Sequence, residues 1–123
     1  MATRDLTTAE FHEVTSGDGI VLIDFWAEWC GPCKRFAPVY ERVSEKHPDI
    51  LFTKVDTEAE TALALEFNIV SIPTLMAVRD GVLVFAQPGA LPETALESLI
   101  TQVRALDMTE VRAKAEQAQA EAA

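Results

Sequence analysis

Apolar and polar positions alternate with two different periods along this chain, and each change of period marks an expected element. Thr7-x-x-Glu10 has the form of a capping box and opens a short helix through about Val14, which Gly17 and Gly19 bring to an end. Ile20 to Ala27 carry apolar residues on both faces, the pattern of a strand buried in the middle of a sheet. From Cys33 to Lys46 the period lengthens to that of a helix, with Phe36, Val39, Tyr40 and Val43 on one side. Pro38 falls inside this helix, where its missing N–H predicts a kink. Ile50 to Asp56 read as a second strand and Glu58 to Phe67 as a second crossing helix. Strand, helix and strand in that order predict a parallel pair joined by a right-handed crossover. Thr74–Val78 and Val82–Phe85 flank Asp80-Gly81, a strong hairpin signal. Pro92 is expected at the first position of a last helix, whose buried stripe is Leu96, Leu99, Ile100, Val103 and Leu106. The sum is a mixed sheet with helices on both faces, in one domain without internal repeats.

After Leu106 the pattern fades. Residues 107–123 are rich in Ala, Glu and Gln, and only Met108 and Val111 offer apolar anchors. Helix propensity is high there but little surface is available for burial, so a frayed or weakly docked helical tail, or a disordered one, is expected outside a domain spanning 1–106.

Composition narrows the functional classes. The chain has 123 residues, 49% of them apolar and 24% charged, which suits one core-forming domain. Its formal net charge of -10 argues against nucleic acid or an anionic membrane as a general partner. Arg4, Asp5, Glu10 and Glu13 interrupt any secretory apolar stretch at the start, and apolar runs such as Ile20–Ile23 are too short to span a bilayer. The expectation is a cytoplasmic protein in a reducing environment, where a Cys-x-x-Cys pair more often serves catalysis or metal binding than structure.

The only two cysteines stand in Trp29-Cys30-Gly31-Pro32-Cys33, where the first strand gives way to a helix. Thiols at this spacing lie one helical turn apart, near enough to form a disulfide. A bridge closing so short a loop adds little stability, which makes a staple a poor use and a reversible redox pair a good one. Zinc in a structural site needs four ligands, and neither His12 nor His47 sits at ligand spacing, so no metal is expected. Cys30, just ahead of the helix, is expected as the attacking thiolate, favoured by backbone N–H groups and the macrodipole. Cys33, one turn further in, is expected to be kept a poor nucleophile by burial until it attacks Cys30 and releases the substrate. Lys34 and Arg35 either add positive potential or simply point into solvent. Asp24 stands among apolar neighbours in Val21-Leu22-Ile23-Asp24-Phe25-Trp26, so burial is expected to raise its pKa toward neutrality and suit it to proton exchange with Cys33. The bland alternative is an Asp near a strand end that reaches solvent. Lys54 alternates onto one face of its strand with Phe52 and Asp56, within reach of Asp24, and its charge opposes that rise.

Asp24-Phe25-Trp26-Ala27-Glu28-Trp29-Cys30-Gly31-Pro32-Cys33-Lys34 resembles the active-site segment of the thioredoxin family. The resemblance continues through Lys54, Ser71-Ile72-Pro73-Thr74, Asp80-Gly81 and Gly89-Ala90, and covers about residues 5 to 106. It implies the thioredoxin fold, an α/β architecture with a central mixed five-stranded sheet flanked by four helices. It implies a cytoplasmic monomer that reduces protein disulfides and binds no cofactor beyond its own redox-active Cys30-Cys33 disulfide. Its implied partner is thioredoxin reductase, which uses NADPH and FAD. Asp24 would act on Cys33 through a water, with Lys54 beside it. The resemblance also implies a cis bond at Ile72-Pro73, against the roughly 5–6% base rate for X-Pro bonds. That geometry would set Ser71, Ile72 and Pro73 beside the sulfurs and free Ile72 to pair with an extended substrate. Trp29, Gly31, Pro32, Gly89 and Ala90 would complete a shallow apolar rim. Val70-Ser71 departs from the pattern, since many thioredoxins carry a basic residue and then glycine there.

Overall fold

In a computed structural model describing residues 2–122, a five-stranded mixed sheet carries helices on both faces. The first and last residues of the expected domain ranges lie outside the described residues. In chain order the elements are β1 (Thr3–Asp5), α1 (Thr8–Thr15), β2 (Ile20–Trp26), α2 (Gly31–Lys46), β3 (Leu51–Asp56) and α3 (Thr61–Glu66). They continue with β4 (Thr74–Arg79), β5 (Val82–Pro88), α4 (Glu93–Ala105) and α5 (Met108–Ala122). The strand order is β1-β3-β2-β4-β5. β1 and β2 run parallel to β3, while β4 is antiparallel to β2 and to β5.

Alternation along β2 sorts its side chains between two cores. Ile20 and Leu22 join Phe36, Tyr40 and Val43 of α2 and Leu96, Ile100 and Val103 of α4. Val21, Ile23 and Phe25 face the other way, into a cluster with Phe11 of α1 and Leu63 of α3. The two-residue period therefore assigns Asp24 to the α2 side. This is how a carboxylate comes to lie under the helix that carries the cysteines.

Several elements differ from the sequence expectation for identifiable reasons. β1 is too short to show periodicity, and it gains strand geometry by pairing Thr3 with Phe52 and Asp5 with Lys54. α3 begins later than Glu58 because Asp56 intervenes. Its Oδ1 accepts the Glu58 N–H at 2.9 Å and its carbonyl accepts the Glu60 N–H at 2.8 Å, forming a turn ahead of the helix. α2 opens two residues earlier than Cys33, which makes Cys30 the N-cap and puts Pro32 in the first turn. Pro92 is the N-cap of α4 and not its first residue. Its ψ of 158° is extended, and its carbonyl accepts the Leu96 N–H at 3.0 Å. At the β4–β5 hairpin, Asp80 and Gly81 both adopt positive φ, 52° and 80°, the backbone that a two-residue turn with strand-matched twist requires. Gly81 also faces Ser16, whose carbonyl oxygen would lie 3.4 Å from an added Cβ.

The tail forms a fifth helix. Asp107 caps it by accepting the Thr109 and Glu110 N–H groups at 3.0 and 3.3 Å. α5 buries no residue completely, and its Arg112 guanidinium donates to the Asp80 carbonyl at 3.1 Å. Arg79 holds the junction ahead of it by donating to the carbonyls of Val103, Arg104 and Leu106.

Candidate active site

The end of β2 delivers the chain to Cys30 at the mouth of α2, where the first-turn N–H groups have no intrahelical acceptor. Cys30 Sγ takes one of them, accepting the Cys33 N–H at 3.2 Å. The two sulfurs are joined in a disulfide with a Cα–Cα distance of 5.2 Å. Electrostatically, the two sulfurs differ. Cys30 stands at the positive end of a 16-residue helix, so a thiolate there is favoured, while Cys33 lies within the first turn.

Burial does not distinguish them as expected. Cys30 is 2% exposed and Cys33 3%. They form a buried cluster with Ala27, against which Trp26 and Ile72 pack. The asymmetry between the thiols rests on position relative to the helix and not on depth.

Asp24 is 1% exposed, and neither carboxylate oxygen has a hydrogen-bond partner among the described residues. Removal from water raises its pKa from 3.8 to about 7, with the nearby Lys54 charge pulling the other way. The opposition expected from the sequence is present, and desolvation wins. Lys54 is the register partner of Asp24 across the parallel β2–β3 pair, and its ammonium sits 5.0 Å from the centre of the Trp26 ring. Under α2, a cleft of about 110 Å³ is lined by Cys33, Trp26, Lys54 and Glu28 among others, roomy and polar enough to admit water. Tyr40 is buried nearby, donating its hydroxyl to the Thr53 carbonyl at 2.8 Å. Burial, and secondarily the Asp24 charge, push the phenol's pKa up.

A second loop closes on the sulfurs. The Ile72-Pro73 bond is cis. The Ile72 carbonyl oxygen lies 3.6 Å from Cys30 Sγ. In the disulfide this is a contact only, because the sulfur carries no proton; in the dithiol a Cys30 S–H can donate to it. Gly89 N–H donates to the Pro73 carbonyl at 2.8 Å, which draws Gly89 and Ala90 to the same loop. Ser71 accepts a hydrogen bond from the Thr74 hydroxyl through its carbonyl. Trp29, Gly31, Pro32, Ser71, Gly89 and Ala90 are exposed, Ile72 is half-buried, and Pro73 is buried beneath them. Trp29 is 69% exposed, and its indole N–H donates to Glu58 Oε1 at 2.9 Å.

The structure thus sets the cysteines and the expected rim residues on two loops and the start of α2, while Asp24 and Lys54 pair across β2 and β3 and Lys54 shares a cleft with Cys33. Sequence reasoning missed Glu58, which anchors Trp29 from 29 positions away and carries no local signal. Trp26 both packs against the cysteine cluster and supports the Lys54 ammonium on its ring.

The family model described as Thioredoxin matches residues 2–102. The chain belongs to the thioredoxin family. It is 58% identical over 121 residues to a putative thioredoxin 2 of Streptomyces coelicolor, covering 98% of this chain and 90% of that relative. A thioredoxin of Bacillus subtilis is 40% identical over 103 residues, covering 83% and 98% of the two chains. Among solved structures, thioredoxin of Malassezia sympodialis superimposes with a TM-score of 0.75 at 35% identity, covering 83% of this chain and 93% of that one. The expected thioredoxin fold is therefore the observed one, with α5 added after its four helices. With its disulfide at the N-terminus of α2, the protein is a thiol-disulfide oxidoreductase whose redox group is the Cys30–Cys33 pair.

Proposed function

We propose that this thioredoxin-family protein works as a general reductase of protein disulfides, with Cys30 attacking and Cys33 resolving. The observation that carries the reading is Cys30 as N-cap of α2, bonded to Cys33 and accepting its N–H. In the dithiol form the Cys30 thiolate attacks one sulfur of the substrate disulfide. A mixed disulfide forms and the other substrate sulfur leaves as a thiolate. Cys33 then loses its proton and attacks Cys30 Sγ, which closes the Cys30–Cys33 disulfide and frees the second substrate thiol. Two electrons pass to the substrate, and its two thiolates take up two protons. Asp24, with a pKa near neutrality, is the acceptor for the Cys33 proton, which reaches it through water. Burial sets the raised pKa of Asp24, and Lys54 on the adjacent strand limits the rise.

Substrate lies across the exposed rim. Trp29, Gly31 and Pro32 form one side, and Ser71, Ile72, Gly89 and Ala90 form the other, with Pro73 supporting them from below. The Ile72 backbone pairs with the substrate chain, an interaction that recognises extended peptide more than sequence. The disulfide left after each cycle is reduced by a thioredoxin reductase drawing electrons from NADPH through FAD. The protein acts as a cytoplasmic monomer, a reading that rests on its membership of the thioredoxin family. A coupled assay tests the whole scheme. Thioredoxin reductase, NADPH and a disulfide-bonded protein should consume NADPH only when this chain is added, and Cys30→Ser should abolish the turnover. No consumption with the wild-type chain contradicts the proposal.

A further inference from the structure

One buried titratable side chain, Tyr40, has no part in the exchange scheme. It stands seven residues after Cys33 on α2, two turns further along the same helix face, and it is fully buried. Its ring lies against Phe36 and Phe52 at centroid distances of 5.5 and 5.2 Å, so packing fixes the ring. Its hydroxyl donates to the Thr53 carbonyl at 2.8 Å. Lys54 gives its own carbonyl to Leu6 on the β1 side, so the Thr53 carbonyl, one residue earlier, points toward β2. Thr53 pairs with Ile23, and the next residue of β2 is Asp24. The Tyr40 hydroxyl therefore reaches the gap between β2 and β3 from the side on which Asp24 lies.

Few charges surround Asp24. Lys54 comes from β3 and Tyr40 from α2, while β4 places Leu75 opposite Asp24 and α4 brings Leu96 and Ile100 to this side. Glu41, next to Tyr40 on α2, turns away to Thr3 and the Ala2 N–H, and Glu28 lines the cleft that holds Lys54 and Cys33. Lys54 acts on Asp24 through its charge and makes no hydrogen bond to it, since both carboxylate oxygens lack a partner among the described residues. The Asp24 charge in turn bears on the Tyr40 phenol. The Trp26 indole N–H is also buried without a partner, but it is fixed to its ring. A phenol proton turns about its C–O bond and can change acceptor while the ring stays in place.

We propose that Tyr40 is a positioning residue for the proton transfer, its hydroxyl bonding the Thr53 carbonyl while Asp24 is protonated and turning to donate to the Asp24 carboxylate when that is ionised. The inference rests on Asp24 as the proton acceptor and deepens that reading. A carboxylate with no bonded donor is free to turn toward the hydroxyl, and an O–H bond to an ionised oxygen is roughly twice as strong as one to a neutral carbonyl. The exchange of acceptors is therefore favourable when Asp24 carries its charge and reverses when it does not. During resolution the Cys33 proton passes to Asp24, the Tyr40 hydroxyl returns to Thr53, and the phenol keeps its own proton throughout.

Carbon NMR of the oxidised protein, following the Asp24 carboxyl carbon against pH, tests this in wild type and in Tyr40→Phe, which keeps the ring and removes only the hydroxyl. Loss of a donor to the anion should raise the Asp24 midpoint by about one pH unit, from about 7 to about 8. The midpoint of the resolving rate against pH should move up by the same amount. A tyrosine needed only for packing or for its Thr53 bond would lower stability equally at every pH and move neither midpoint. In the wild type the Tyr40 hydroxyl proton should itself move downfield with the Asp24 midpoint, a readout that needs no variant. An Asp24 midpoint unchanged in Tyr40→Phe, or a hydroxyl proton that does not follow the Asp24 titration, overturns the role of Tyr40 alone. A resolving rate in Asp24→Asn equal to that of wild type across pH 6 to 9 overturns the proton-acceptor reading, and this inference with it.

Discussion

Replacing Asp24 by Asn should make the protein more stable, and by an amount that depends on pH in a defined way. In the native state this carboxyl is 1% exposed and has no hydrogen-bond partner among the described residues. Burial, resisted by Lys54, lifts its pKa from 3.8 to about 7. Between these values the folded protein holds a proton that the unfolded chain has released. Stability is therefore full below about pH 4, falls as pH rises and levels off above about pH 7. Three pH units at about 1.4 kcal/mol each come to about 4 kcal/mol, a large part of the 5–15 kcal/mol typical of a whole domain. An Asn amide keeps the shape and the cost of burying a neutral polar group, but it cannot ionise. The advantage of Asp24→Asn over wild type should therefore grow by about 3 kcal/mol between pH 5 and pH 8 and then stay constant. Urea unfolding of both oxidised proteins at steps from pH 5 to pH 9 reads this directly. Parallel stability curves, or a variant less stable than wild type at pH 8, would refute the placement of an ionising carboxylate in the core.

The same substitution should slow the resolving step near neutral pH, seen as longer-lived mixed disulfides in rapid-quench experiments. Unchanged kinetics from pH 6 to 9 would remove Asp24 from the mechanism. Cys33→Ser should leave mixed disulfides stranded on Cys30, detectable by mass spectrometry after incubation with disulfide proteins; accumulation on Cys33 in a Cys30→Ser variant instead would reverse the two roles. Ending the chain after Asp107 keeps the Leu106 carbonyl that Arg79 holds and removes a helix that buries no residue completely. Its loss should cost under about 1 kcal/mol in urea unfolding and leave disulfide reduction unchanged. A larger loss would make the tail part of the folding unit.

Much of this architecture was legible because burial leaves period and composition behind it. Apolar residues on both faces from Ile20 to Ala27 predicted a central strand; which side of the sheet Asp24 faces follows from how its neighbours divide between the two cores. Asp80-Gly81 predicted its turn because few residues tolerate positive φ at both positions. β1 was illegible because three residues form a strand only through pairing with β3. The start of α3 was misread because the side chain of Asp56, and not a change in periodicity, sets it. Near the sulfurs, sequence pointed to both cysteines, to Asp24 and to Lys54. It did not foresee that Cys30 and Cys33 are equally covered, since that depends on Trp26 and Ile72 packing from outside the motif. Nor did it show that Val70, legible only as a departure from the family pattern, stands 87% exposed.

The central claim is that Cys30 and Cys33 form a reducing pair and do not act as an oxidant, and their reduction potential tests it most directly. Thioredoxins lie near about −270 mV, a reference value for the family and not one worked out from this site. Equilibration of the purified protein against glutathione or dithiothreitol buffers, read by the fraction of Cys30–Cys33 disulfide, should give a potential close to that value. A result between about −120 and −180 mV, where disulfide oxidases and isomerases lie, would contradict the account.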